Sequence, residues 1–341
     1  MSDATRTGSP RLIVSASPHL APAIDTPKIM WNVVGSLVPA VLGAIWFFGP
    51  SALLVIVAAV CGAAAPEAYV KGLRSLRDGS AVITGVLLGM SLPAGMPCWM
   101  AFLGGAFGIV TGKLLFGGLG QNVFNPALLG RAFLQAAFPV AITTWPAAGA
   151  GSWAALRGDN LAFPFTSPLA PDVVTSATPL NLMKFDRVTT APLDLFLGRT
   201  GGSLGETCDL LLFLGAAYLV LRNFMNWRTP LAIFATVAAF AAVLHAVDPA
   251  KYGSAPFMLF SGGLALGALY MATDPVTSPI TPKGSLIFGV GIGLLVVLIR
   301  VWGGLPEGVM YSILIMNALV PFINRATQPR PFGGRAPEAK P

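Results

Sequence analysis

Long apolar runs, closely spaced and almost free of charge, constrain this chain more than any other feature. A helix needs about 20 consecutive apolar residues to cross the hydrocarbon core of a bilayer. Such runs fall at about 31–49, 51–70, 98–116, 126–143, 208–222, 229–247, 255–272, 284–302 and 307–322. A further run, at about 81–93, is glycine-rich and too short to cross alone, as expected for a broken helix that lines a cavity. Only 10% of the 341 residues are charged, against about a quarter in soluble domains. The expected fold is an all-α polytopic membrane protein of about ten transmembrane helices.

Between the fifth and sixth runs lies the one sizeable polar segment, 144–207, which carries Asp159, Asp172, Lys184, Asp186, Arg187, Asp194, Arg199 and Glu206. The expected organisation is an N-terminal segment 1–30, a first five-helix half 31–143, the loop 144–207, a second half 208–322 and a tail 323–341. The first 30 residues hold no apolar stretch of signal-peptide type, so the first span reads as its own insertion signal. With both termini cytoplasmic, the inner segments collect 14 of the 21 Lys and Arg residues, while the short outer loops keep Lys251 and Arg300. The loop 144–207 then faces the periplasm. If the halves are duplicates, five spans in each force an inverted repeat. GGLGQNVFNPALLG at 117–130 and GGLALGALYMATDPVTSPITPKG at 262–284 share a glycine pair followed by an Asn-Pro or Asp-Pro break.

Several function classes fall away. The net charge of +7 is spread over the ends of apolar runs rather than gathered in a patch, which excludes nucleic acid as a partner. Cys61, Cys98 and Cys208 are widely separated and form no metal-ligand or disulfide pattern. No P-loop, GxSxG, HExxH or dinucleotide fingerprint is present, so no catalytic residue is expected and the chain alone binds neither NAD nor ATP. Ionisable residues near membrane depth are Glu67, Arg131, His245, Asp248, Asp274 and Glu307. Most stand at run ends, where solvated or snorkelling side chains are expected. Arg131, six residues into a run, reads as a partner for a phosphate or for Asp274 or Glu67, and Asp274 before Pro275 reads as a helix N-cap or an ion ligand.

The most informative string is DVVTSATPL at 172–180. Asp172, Thr175, Ala177 and Thr178 fill the fixed positions of D-x-x-[ST]-x-A-T, the flavinylation motif of the membrane-bound Rnf and Na⁺-translocating NADH:quinone reductase complexes. GGSLGET at 201–207, GGLGQNVFNP at 117–126, MATDPVTSP at 271–279 and EGVMYSILIMNALVP at 307–321 extend the likeness over nearly the whole chain. The sequence resembles the D subunit of Rnf and, more distantly, the B subunit of the quinone reductase. Ser176 stands where family members usually carry glycine, a change of one hydroxymethyl group.

The resemblance implies an electron-carrying subunit of an ion-translocating ferredoxin:NAD oxidoreductase in the bacterial inner membrane. It implies FMN joined through a phosphoester to Thr178 by a separate flavin transferase on the exported side. It implies assembly with the A, B, C, E and G subunits of Rnf, and movement of Na⁺ or H⁺. Gly201, Gly202, Ser203, Gly205, Glu206 and Thr207 are expected beside the bound FMN, where the alternative is a mobile linker into the sixth span. Asn122 and Asn125 resemble ligands of a second, non-covalent flavin, riboflavin or FMN; Asn125-Pro126 equally reads as an N-cap followed by N1 proline. A Ser/Thr turn before Pro179 is the plain alternative for the motif itself, and a channel or solute transporter of inverted-repeat architecture is the alternative for the whole.

Overall fold

A computed structural model of the protein describes residues 25–146, 153–164, 177–198, 200–206 and 209–329. Among the described residues the chain is helical, without a β-strand. Five helices are long and apolar enough to cross a membrane: α1 (Thr26–Phe48), α2 (Pro50–Lys71), α10 (Arg228–Val247), α13 (Pro282–Trp302) and α14 (Val309–Thr327). Shorter apolar helices are α3 (Ser80–Met90), α4 (Cys98–Ile109, prolonged by a π-turn Val110–Leu114) and α9 (Asp209–Leu221), and α5 (Pro126–Ala137) is of similar length. The remaining helices are α6 (Pro139–Thr143), α7 (Pro179–Asn181, prolonged by a π-turn Leu182–Asp186), α8 (Pro192–Leu197), α11 (Ala255–Phe260) and α12 (Leu264–Leu266, prolonged by a π-turn Gly267–Met271).

Local chemistry sets the ends. The Asp25 carboxylate accepts the Lys28 N–H at 3.2 Å and Pro27 occupies the first turn, so α1 starts five residues before its apolar run. It stops at Gly49, whose φ of 69° is left-handed. α2 begins at the next residue; a β-carbon on Gly49 would strike the Trp153 carbonyl. Close packing of α2 on α4 depends on a second missing side chain, because a β-carbon on Gly105 would overlap the Ala59 carbonyl.

One helix group forms around α2, which packs on α3 and α4, with α5 against α4; another forms around α13, which packs on α10 and α14. The groups meet where α1 packs on α9 and α5 packs on α14. Two expected spans prove discontinuous. The run 126–143 breaks at Phe138, where Pro139 lacks an N–H and cannot continue the α5 ladder. The run 255–272 breaks at Ser261, Gly262 and Gly263, with Gly262 at φ 67°.

α3 has 11 residues, about 16 Å at 1.5 Å per residue, or roughly half a bilayer. Its open end is satisfied by protein, as backbone at membrane depth requires. Gly205 N–H donates to the Met90 carbonyl at 2.6 Å and Leu204 N–H to the Leu92 carbonyl at 3.1 Å. The Asn160 amide donates to the Ala94 and Met96 carbonyls at 2.8 and 3.0 Å. The break before α12 is held by charge: Arg300 donates to the Met258 and Ser261 carbonyls at 2.6 and 2.7 Å, and Gly263 N–H donates to Glu307 at 2.9 Å.

Candidate flavin pockets at the two ends of the bundle

The half-length helix α3 and the broken α11–α12 both lead to pockets. The first lies where α5, α7, the 200–206 segment and the turn before α14 converge, and Arg131, Trp145, Thr178, Glu206, Glu307 and Tyr311 stand on its wall. Arg131 projects from the middle of α5 and its Nη2 lies 2.5 Å from Glu307 Oε2. Glu307 is further fixed by the Gly263 N–H. The partner of Arg131 is therefore neither Asp274 nor Glu67, the carboxylates its place in the run suggested. Glu307 is correspondingly no freely solvated end residue, because an arginine inside the bundle needs a counter-charge.

Thr178 is the N-cap of α7: its hydroxyl accepts the Asn181 N–H at 3.3 Å. It is 7% exposed and faces the pocket. Neighbouring Ala177 is exposed, while Asp172, Thr175 and Ser176 lie outside the described residues. The segment is fastened from behind by Lys184, whose ammonium donates to the Gly303 and Leu305 carbonyls at 2.5 and 3.1 Å. Partial burial lowers the Lys184 pKa.

Gly202, Ser203 and Gly205 are buried and Gly201 half-buried, with the 204–205 backbone bound to the end of α3. The described part of GGSLGET is thus packed rather than a loose linker, and it carries Glu206 into the pocket. Thr207 lies outside the described residues.

The second pocket lies at the opposite ends of α3 and α9, beside the start of α5; Ser80, Lys113, Asn122, Asn125, Tyr270 and Asp274 border it. Its charge is internally balanced. Lys113 in the π-turn after α4 binds both Glu67 carboxylate oxygens at 2.6 and 2.8 Å and the Ser80 hydroxyl at 2.5 Å. The two side chains are 2% and 1% exposed. The expectation of solvated end residues is overturned for this pair: each removes the other's cost of leaving water.

The two asparagines separate clearly. Asn125 is committed, its oxygen capping α5 at Ala127 N–H and its nitrogen donating to the Met271 carbonyl. Asn122 is also buried, and its side-chain oxygen has no partner. Asp274 closes a local turn, accepting from Val276 N–H and the Thr277 hydroxyl at 3.3 and 3.1 Å. Sequence reasoning missed Lys113, which it counted as an ordinary inner-side charge, and Arg300, which it placed on a short outer loop; the latter is 3% exposed. For Lys113 a signal existed, since it and Glu67 are opposite charges near the inner ends of two apolar runs, 51–70 and 98–116.

The family described as NQR2, RnfD, RnfE matches residues 13–333. The chain is 42% identical to the D subunit of the ion-translocating oxidoreductase complex of Stutzerimonas stutzeri, over 91% of this chain and 92% of that one. It is 40% identical to the D subunit of the proton-translocating ferredoxin:NAD(+) oxidoreductase complex of Clostridium ljungdahlii, over 94% and 96% of the two chains. It is also 40% identical to the Na(+)-translocating counterpart of Acetobacterium woodii, over 94% and 95%.

Proposed function

The chain belongs to the NQR2, RnfD, RnfE family, and from that membership we propose that it is the D subunit of an Rnf-type complex. In this reading the complex couples electron transfer between ferredoxin and NAD to movement of Na⁺ or H⁺, with FMN attached to Thr178 and a second flavin held in the pocket beside Asn122. The partners are the A, B, C, E and G subunits of Rnf, with a flavin transferase for maturation. The chain would cross the inner membrane about ten times as two inverted halves, 31–143 and 208–322, both termini cytoplasmic and the loop 144–207 periplasmic.

The observation that carries this reading is the placement of Thr178. The last residue of the flavinylation motif stands on a pocket wall with Arg131, Glu206 and Glu307, at the ends of two broken helices. The residues fit an esterified flavin. The Thr178 oxygen already serves only as an acceptor, for Asn181 N–H, a role an ester oxygen can also fill. Arg131 is a cation within the same pocket. Trp145 and Tyr311 offer aromatic walls. When bound, FMN would supply one- or two-electron transfer. The chain's own work is to position it and exclude water. Because Thr178 is buried in this arrangement, attachment must occur before the segment 177–186 packs, or with that segment swung out.

The second pocket fits a neutral isoalloxazine. The unpartnered Asn122 oxygen can accept a ring N–H, and the Lys113 charge is already cancelled by Glu67. The test is a purified complex carrying Thr178→Ala. The proposal requires loss of electron transfer between ferredoxin and NAD and of coupled ion movement. Full retention of both would refute it.

A further inference from the structure

A buried polar cluster adjoins the Thr178 pocket and takes no part in the contacts that shape it. Asp209, the first residue of α9, is 1% exposed, and neither of its carboxylate oxygens accepts a hydrogen bond. Arg300 of α13 lies within electrostatic reach of it, as does Glu206. The Arg300 Nη1 and Nη2 groups are committed to the Met258 and Ser261 carbonyls. Its Nε and the Ser261 hydroxyl are themselves buried without partners. An unpartnered donor and an unpartnered hydroxyl thus stand at the break between α11 and α12, with the unpartnered Asp209 carboxylate within electrostatic reach of Arg300, which marks a site that handles something the protein itself does not supply.

Charge counting narrows what that is. Glu206, Asp209 and Glu307 face Arg131 and Arg300. Were all five ionised, one negative charge would be left over. Asp209 is the carboxylate least able to carry it, because water is excluded and no donor reaches it. A divalent metal ion is disfavoured: among the described residues no three His, Cys, Asp or Glu side chains converge as such an ion would require. A proton needs no further ligand.

We propose that Asp209 is a proton-binding site, held as a neutral acid within electrostatic reach of Arg300, whose proton exchanges through the Thr178 pocket. The charged and titratable groups around it are Glu206 from the 200–206 segment, Arg300 from α13 and Glu307 from the turn before α14. α8, which also packs on α9, carries Asp194, and the π-turn after α12 carries Tyr270. α1 brings Asp25 and Lys28, both at its start. The link to electron flow rests on the flavin reading above: a negative charge gained in the pocket tightens proton binding at Asp209 through the low-dielectric interior, and its loss loosens it. The proton site itself does not depend on that reading.

The test is infrared spectroscopy of the purified complex, wild type against Asp209→Asn, in sodium and in choline buffers and in H₂O and D₂O. The expected result is a protonated-carboxyl C=O stretch that shifts down in D₂O, is insensitive to sodium and is lost in Asp209→Asn. Asp209→Glu keeps an acid and shifts the band, so that variant decides the matter if Asp209→Asn does not accumulate. A protonated-carboxyl region identical in wild type and both variants overturns the proposal. A band present only when sodium is withheld overturns it in favour of sodium. Ultraviolet fluorescence of the same samples reports the flavin separately. Protein that keeps the band without fluorescence would sink the flavin reading alone, and fluorescent protein without the band would sink only the proton site.

Discussion

Replacing Lys113 by Met gives the sharpest test of how this bundle tolerates charge in its interior. The ammonium makes all three of its hydrogen bonds inside the protein, to both Glu67 oxygens and to Ser80. Met keeps the length of the stem and removes all three, leaving Glu67, 1% exposed, as an uncompensated buried charge. Breaking a buried pair from one side costs about 3–5 kcal/mol. At about 1.4 kcal/mol per tenfold change, the folded-to-unfolded ratio should fall by roughly two to three and a half orders of magnitude. Glu67→Gln should cost a comparable amount, since the ammonium then loses its counter-charge. The double variant should recover much of the loss, because no net charge is left buried. Lys71→Met is the control: its ammonium sits in water with one long bond, 3.3 Å, to the Gly117 carbonyl, and the expected change is within about 0.5 kcal/mol. The assay is reversible unfolding in mixed micelles, followed by tryptophan fluorescence and far-ultraviolet circular dichroism. Single effects that add within about 0.5 kcal/mol in the double variant would refute the reasoning.

Other consequences are equally direct. Gly105→Val should destabilise the α2–α4 contact by at least about 1–3 kcal/mol, because its β-carbon meets the Ala59 backbone carbonyl; thermal aggregation in detergent would show it. Lys184→Met should free the segment behind Thr178 from the Gly303 and Leu305 carbonyls and raise the rate of limited proteolysis within 177–191 several-fold. Asn122→Ala should reduce non-covalent flavin recovered by acid extraction about tenfold with stability unchanged. Asn125→Ala should instead cost about 1 kcal/mol of stability through its lost cap.

The sequence made the membrane class legible because burial in lipid demands long uncharged runs, and the five full-length helices follow them closely. It singled out Thr178, which the structure puts on a pocket wall, through a short motif contained in one nine-residue string. The helix breaks were harder to read. Pro139 and the Gly262–Gly263 pair lie inside apolar runs, and such residues occur in continuous membrane helices when neighbours satisfy the freed backbone. The groups that do so here, Arg300 and the 204–205 backbone, are remote in sequence. Distance in the chain also hid the charge pairs: Arg131 and Glu307 are 176 residues apart and Glu67 and Lys113 are 46 apart. No periodicity carries such pairings. Asn122 and Asn125 looked equivalent, and only the contacts of Asn125 with Ala127 and Met271 distinguish cap from free acceptor.

Whether Thr178 carries a flavin is decided by one gel. The chain is expressed with a flavin transferase, resolved under denaturing conditions and imaged under ultraviolet light before staining, beside Thr178→Ala. A fluorescent band at the chain's mass of 35.3 kDa that disappears in the variant is the predicted result. A dark wild-type band, with the transferase active on a control substrate, would contradict the account.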